Sequence, residues 1–447
     1  METNLFSGRK ISSAYLRMSL PLVLSMAVTL IYNLADTYFV ARTNDANLVA
    51  GVSLCAPVFT VLMAMGNIFG QGGSSLISRL LGSGSGQGAR RVSSFCFYAT
   101  LFGGVAVGVL MLALRAPLLR LIGADADTYA HASDYFTWLA LGAPAVMLSF
   151  IHSNLLRSEG MSRESMLGTV GGALVNIVLD PIFISTLGMG ARGAAIATVI
   201  GYVFSDVFFA VIVIRRSAHL SVWPVQVRVC RAEAAQIFGI GIPAAIVNVM
   251  QSASVVLMNQ YLLPYGNEKI AAMGIALKVS MIALLLLTGF AFGGQPLFGY
   301  FYGARDRQRL AELFGFCMRF IVALAVLLAA AIFVAAPLLM RCFMSDAGIV
   351  ADGAQMLRFQ AVTIPLVGAI LLMTIVFQSM GKVAGSFVLS ISRQGVVFVV
   401  ALLCAQALAG YTGVIAAQAI ADVATAFIAV ALFFTTLRGE LYGASAR

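Results

Sequence analysis

Apolar residues in this chain come in long runs separated by short polar punctuation. Twelve runs are long enough to cross a hydrocarbon core of roughly 30 Å. They lie at approximately 16–41, 49–80, 91–114, 130–156, 164–187, 192–215, 234–262, 270–302, 310–335, 353–379, 384–409 and 413–437. Runs of that length with almost no charge predict membrane-spanning helices, because a helix satisfies its own backbone hydrogen bonds within one segment. Several exceed the minimum, which permits tilt or kinks. The expected fold is an all-α polytopic membrane protein.

The punctuation repeats. Gly51, Gly66 and Gly70 find Gly274, Gly289 and Gly293 at an offset of 223. Pro21 meets Pro243 at 222, while Pro144 meets Pro365 and Gly160 meets Gly381 at 221. Ala116-Pro117-Leu118 meets Ala336-Pro337-Leu338 at 220. So steady an offset in so apolar a chain predicts a transporter built from two pseudo-symmetric six-helix bundles. The reading gives an N-lobe at 1–215, a connecting cytoplasmic loop at 216–233 and a C-lobe at 234–447. An even number of spans per lobe implies a pseudo-two-fold axis along the membrane normal, with a substrate site at the lobe interface near mid-membrane.

Composition agrees: 60% hydrophobic and 10% charged residues, with a mean hydropathy of +0.95, exclude a soluble domain. The net charge of +10 could suggest nucleic acid, but its placement argues for topology instead. With the amino terminus placed in the cytoplasm, eighteen Lys and Arg, Arg9, Arg228 and Arg447 among them, fall on that side. Six fall outside: Arg42, Arg115, Arg120, Arg192, Lys269 and Arg341. That bias predicts both termini in the cytoplasm. The first apolar run has full helix length, so it does not read as a cleavable signal. Six cysteines, with Cys96 and Cys317 as repeat equivalents, show no metal or redox spacing. No phosphate loop, zinc motif or nucleophile elbow is present, so neither an enzyme nor ATP-driven pumping is expected.

The two halves differ where charge matters. Asp36, Glu159 and Asp180 face uncharged positions in the second half, and ionisable groups inside a bilayer default to a functional reading. Tyr32 and Asp36, Asn176 and Asp180, and Thr198 and Tyr202 are each four residues apart, so each pair shares one helical face. Three spans thus offer polar pairs that could take up a proton, or hold Na⁺ with carboxylate, amide and hydroxyl oxygens. The blander alternatives stay open: helix-end carboxylates satisfied by water, and a threonine bonded to its own backbone. Glu159, beside Arg157, Arg163 and Glu164, reads first as an interfacial charge cluster and second as a substrate contact. Lys278, Arg393 and Asp422 fall inside predicted spans of the second lobe. Arg393 and Asp422 could pair across adjacent helices, and Lys278 could reach a water-filled cavity. Pro21 removes a backbone donor and favours a bend in the helix that carries Asp36. Candidate cavity residues are Tyr202, Glu159, Gln251, Met258, Asn259, Lys278, Phe292 and Met380. Met and Phe would suit a plastic apolar cavity, although in a membrane protein most simply pack.

These residues resemble the multidrug and toxic compound extrusion (MATE) transporters over essentially the whole chain. The resemblance rests on Pro21 with Asp36 fifteen residues later and on Leu155-Leu156-Arg157-Ser158-Glu159-Gly160, similar to the family's LLRxxG pattern. Asn176-Ile177-Val178-Leu179-Asp180-Pro181 and Ser392-Arg393-Gln394 complete it. The resemblance implies an antiporter in a bacterial inner membrane that exports drug-like cations in exchange for an incoming cation, with no cofactor. It also implies an N-lobe cation site of Asp36, Asn176, Asp180 and Thr198, with Tyr32 close by. Another branch carries acids on its seventh and tenth helices. Here those spans offer Asn248, Gln251 and Asn259, which favours coupling through the N-lobe, to H⁺ or to Na⁺. A monomer would suffice, and no nucleic-acid partner is expected. The rivals are a lipid-linked oligosaccharide flippase, kept alive by Lys278 and Arg393, and a facilitator-type transporter, whose charged loop signature is missing from Gly82–Gly88.

Overall fold

The computed structural model describes residues 10–43, 45–224, 227, 229–344 and 346–443, and the regular structure among them is helical. Arg9, Arg228 and Arg447 of the basic tally lie outside the described residues. The first half contains α1 (Ile11–Ala41), α2 (Ala46–Leu54), α3 (Ala56–Gly82), α4 (Gly86–Ala113) and α5 (Arg115–Leu121). It continues with α6 (Tyr129–Leu141), α7 (Ala143–Ser158), α8 (Ser162–Asp180) and α9 (Gly190–Arg216). The second half contains α10 (Arg231–Leu262), α11 (Asn267–Gly303), α12 (Arg307–Arg341) and α13 (Ala347–Ser379). It ends with α14 (Val383–Gln394), α15 (Val396–Leu432) and α16 (Arg438–Tyr442).

Most helices outrun the apolar spans by a few residues, because helical hydrogen bonding continues past the last apolar residue into polar ends. Breaks fall where sequence chemistry puts them. α2 and α3 meet at Cys55 ahead of Pro57, and α6 and α7 bend by 53° at Gly142 ahead of Pro144. Proline is tolerated in a first helical turn, where its missing N–H has no intrahelical role. The repeated Ala-Pro-Leu behaves differently in its two copies. Pro117 follows a break at Leu114, whereas Pro337 stays inside an unbroken α12, which therefore runs beyond the expected end of its span.

Among the described residues, ten helices can cross a membrane by length and composition, or eleven when the bent pair α6–α7 is one span. The last of them, Val383–Tyr442, holds two crossings. Gly410 adopts φ 54° and ψ −127°, and a Cβ on Gly413 would sit 1.8 Å from the Ala405 carbonyl oxygen. Eight helical residues rise about 12 Å, so this approach requires the chain to turn at Gly410. Twelve transmembrane helices result, six in each half.

The chain forms two compact units, residues 24–245 and residues 1–23 with 246–447. They follow the sequence halves except at two helix ends. The changeovers fall two residues after Pro21 inside α1 and two after Pro243 inside α10. Unit 24–245 has two apolar cores. One is built around Phe136, Leu139 and Met147, and the other around Ile77, Val92 and Phe209. The other unit has a single core that takes in Tyr15 and Met18, with the Tyr15 hydroxyl donating to the Phe290 carbonyl at 2.8 Å.

Two packing features stand out, one in each unit. α8 and α9 touch backbone to backbone at Gly172 and Gly201. A Cβ on Gly172 would lie 2.5 Å from the Gly201 oxygen, and one on Gly201 would lie 2.7 Å from the Gly172 oxygen. Only residues without a Cβ allow this approach, and Ser205 adds a 3.0 Å bond to the Gly168 carbonyl just beyond it. In the other unit, Arg393 Nε donates to Asp422 Oδ1 at 2.9 Å, on the side chains sequence spacing had offered as partners. Gln418 Nε2 donates to the same oxygen at 3.0 Å and Thr363 Oγ1 to Asp422 Oδ2 at 2.9 Å. Asp422 is thus a buried carboxylate with donors on both oxygens.

Both features give stability tests in detergent. Gly172→Val forces side-chain bulk against the Gly201 carbonyl and is expected to cost about 1–3 kcal/mol, read as a lower melting temperature. An unshifted melting curve would count against the close contact. Arg393→Ala or Asp422→Ala strands a buried charge and is expected to cost about 3–5 kcal/mol, whereas Arg393→Met with Asp422→Leu recovers most of the loss. Single variants as stable as the parent would show the pair to be dispensable.

Candidate functional site

The Gly172–Gly201 contact sets the distance between the next polar residues along each helix. One turn beyond Gly172, Asn176 projects from α8, and just before Gly201, Thr198 projects from α9. The Asn176 amide nitrogen lies 3.4 Å from Thr198 Oγ1 and 3.4 Å from Asp180 Oδ1. Asp180 is the last residue of α8. Pro181 follows it and cannot donate to the α-helical ladder, and residues Pro181–Thr186 open into a π-helical turn. The carboxylate therefore sits at a backbone discontinuity, fully buried, with Asn176 and Thr198 also buried.

Asp36 arrives from α1. Its charge is near enough to act on Asp180 and on the Tyr202 phenol, and Tyr32, one turn earlier on α1, lies near Thr198. The structure thus brings together Tyr32, Asp36, Asn176, Asp180, Thr198 and Tyr202, all within unit 24–245. Tyr135 on α6 also belongs to the group, since its phenol is close enough to interact with the Thr198 side chain and the Asp36 charge. Sequence spacing missed it because no carboxylate lies four residues away on its own helix.

The acceptors outnumber the donors. Asp36 Oδ1, Asn176 Oδ1 and Asp180 Oδ2 are buried and receive no hydrogen bond from the protein. Each unsatisfied buried acceptor costs about 1–3 kcal/mol, and two negative carboxylates in an apolar bundle repel each other as well. A proton turns one carboxyl into a donor toward a neighbouring oxygen, and a bare monovalent cation would be met by the same oxygens. The described residues hold no group of three or more His, Cys, Asp or Glu placed to bind a metal ion.

Other sequence candidates lie elsewhere. Glu159 is turned to the connecting segment: Ser217 Oγ donates to its carboxylate, as do the backbone N–H groups of Ala218 at 2.9 Å and His219 at 2.8 Å. Burial raises the Glu159 carboxyl above the ordinary glutamate range, against the opposing pull of those hydrogen bonds. Its oxygens are committed to the loop, which corrects its place among cavity residues. Met258 and Met380 are sealed in the apolar core of their unit, so packing replaces cavity lining for both. Asn259 and Phe292 are half-buried, while Gln251 and Lys278 are exposed.

The comparisons with known proteins fit this architecture. A sequence model described as MatE matches twice, over residues 21–182 and 243–403, so its two copies fall on the internal repeat. The Multidrug export protein MepA of Staphylococcus saprophyticus is 30% identical over 429 residues, covering 96% of this chain and 95% of that protein. A crystal structure of MATE in the bent conformation superposes with a TM-score of 0.91 at 27% identity, covering 98% of this chain and 97% of that one. An outward-facing multidrug resistance MATE transporter of the MOP superfamily superposes with a TM-score of 0.89 at 26% identity, covering 98% of both. With each half matched in turn and the full length shared with membrane transporters, the chain belongs to the MatE family, and it is a transporter rather than an enzyme.

Proposed function

We propose that this protein exports drug-like lipophilic cations across a bacterial cell membrane in exchange for protons taken up at Asp36 and Asp180. The observation that carries the reading is the trio of buried oxygens on Asp36, Asn176 and Asp180 with no protein donor. Such a group is stabilised by loading and unloading a positive charge, which is what a coupling site must do. Sodium held by Asp36, Asn176, Asp180 and Thr198 is the second form of the same site, supported by its oxygen-only chemistry. The name of the staphylococcal relative, a multidrug export protein, supports the substrate class. The basic loops support cytoplasmic termini, and the duplicated chain makes a monomer sufficient. A flippase draws less support, because the Arg393 charge it would use is already engaged by Asp422.

The driving force is adequate. One proton gains roughly 2.3 kcal/mol per 100 mV and about 1.36 kcal/mol per pH unit. Together these sustain a gradient of roughly a few hundred-fold for a neutral solute, while for a monovalent cation exchanged one for one the potential cancels and about tenfold per pH unit remains. In this reading α1 couples the ion to movement: Asp36 lies in one compact unit, while Pro21 stands at the changeover to the other. Charge at Asp36 changes what α1 gains from packing into its bundle, and the proline marks where the helix yields.

Purified protein in liposomes loaded with ethidium tests this directly. A pH gradient is expected to drive ethidium movement, and Asp36→Asn and Asp180→Asn each to abolish it. Movement with a sodium gradient alone keeps the site but changes the ion. No movement under either gradient, with folded protein, removes the antiport reading.

A further inference from the structure

The same bundle buries a second ionisable pair that the coupling site leaves unexplained. His152 on α7 is 3% exposed, and its Nδ1 lies 3.6 Å from Asp206 Oδ1 on α9. Both His152 ring nitrogens and Asp206 Oδ1 are buried without a hydrogen bond. A histidine kept for packing alone would normally satisfy one nitrogen with a donor or acceptor. Here the ring is held by Phe97 and Phe209, at centroid distances of 5.4 and 6.2 Å, and is aimed at a carboxylate. At 3.6 Å the pair is too far apart for a hydrogen bond, yet a small side-chain rotation or one bridging water closes the gap.

The pair is aligned with the coupling site. Thr198, Tyr202 and Asp206 follow one another at four-residue spacing on one face of α9, about 6 Å per step. Tyr202 stands one turn from Asp206 on that face, and the charges of Asp36 and Asp206 both act on its phenol. His152 in turn lies about 9 Å before Ser158, toward the end of the bundle that carries Arg157, Arg215 and Arg216. On helices packed against α7, Arg79 engages Gln236, Tyr98 the Val222 carbonyl and Glu164 Arg216, and on α7 itself Arg157 engages Asn154, while Asp180 on α8 belongs to the site described above. Cys96 is a buried thiol.

We propose that Asp206 and His152 form a proton-release relay, fed through Tyr202 from the Asp36–Asp180 site and emptying at the arginine-rich end of the bundle. The inference rests on the proton-coupled reading above. Tyr202 gives its phenolic proton to the Asp206 carboxylate as it accepts one from Asp36. Asp206 passes that proton to a His152 ring nitrogen, and the imidazolium releases it to water. Each station returns to its starting state, and one proton has moved.

Two transport modes measured on the full protein in liposomes separate a relay from a structural role. Ethidium efflux driven by a pH gradient needs proton release in every cycle. Exchange of ethidium for ethidium with no gradient cycles only the drug-loaded protein and needs none. His152→Gln and the near-isosteric Asp206→Asn are each expected to slow driven efflux about 10-fold or more, the scale of a lost acid–base group, and to leave exchange at the parent rate. Equal loss in both modes would assign the pair to structure and overturn the relay, and so would parent-like driven efflux in both variants. A parent that exchanges ethidium but ignores the pH gradient would remove the proton-coupled reading and the relay with it. Asp36→Asn marks that boundary, because it abolishes driven efflux whether or not the relay exists.

Discussion

The architecture around Asp36 and Asp180 depends on one constraint: oxygen atoms buried in an apolar bundle must receive a hydrogen or a positive charge from somewhere. Asp36 Oδ1, Asn176 Oδ1 and Asp180 Oδ2 receive neither from the protein. They are held together by features with no polar chemistry of their own. The Gly172–Gly201 contact lets two backbones touch, and Pro181 breaks the ladder beside Asp180. Deficit and rigidity belong together, because a looser bundle would let the oxygens turn to water or to neighbouring donors.

The second half shows the opposite outcome for a buried acid. Asp422 accepts from Arg393, Gln418 and Thr363, so both of its oxygens are supplied by permanent partners. A carboxylate neutralised by an arginine has little to gain from a transient proton. The two bundles share an ancestry of form in their repeated glycines and prolines, but one keeps its acid hungry and the other keeps its acid fed. This separates a group able to exchange charge from one that ties helices together.

Much of this was legible from the chain alone, and the misses have a common cause. Spans, repeat and the Tyr32/Asp36 and Asn176/Asp180 pairs could be read because each depends only on spacing along the chain. Arg393 and Asp422 could be paired because both are rare charges in neighbouring spans. Tyr135, and the meeting of His152 with Asp206, depend on how different helices rotate against each other, which periodicity does not encode. Glu159 was ambiguous because a charged residue at a helix end looks the same whether it faces a cavity or a loop. Met258 and Met380 illustrate a residue type whose chemistry suits both core and cavity, so that only burial decides.

Glu159, Ser93, Ser94 and Tyr98 hold residues 217–222 against the first bundle, and α10 spends its opening turns in that same compact unit. The loop therefore begins and ends on one body. What joins the two bodies covalently is the interior of two helices, at the changeovers behind Pro21 and Pro243. The covalent links therefore run inside helices, each with a proline two residues before the changeover. A change in the angle between them would have to be taken up within a helix, and the loop, anchored at both ends to one body, would be carried along unchanged.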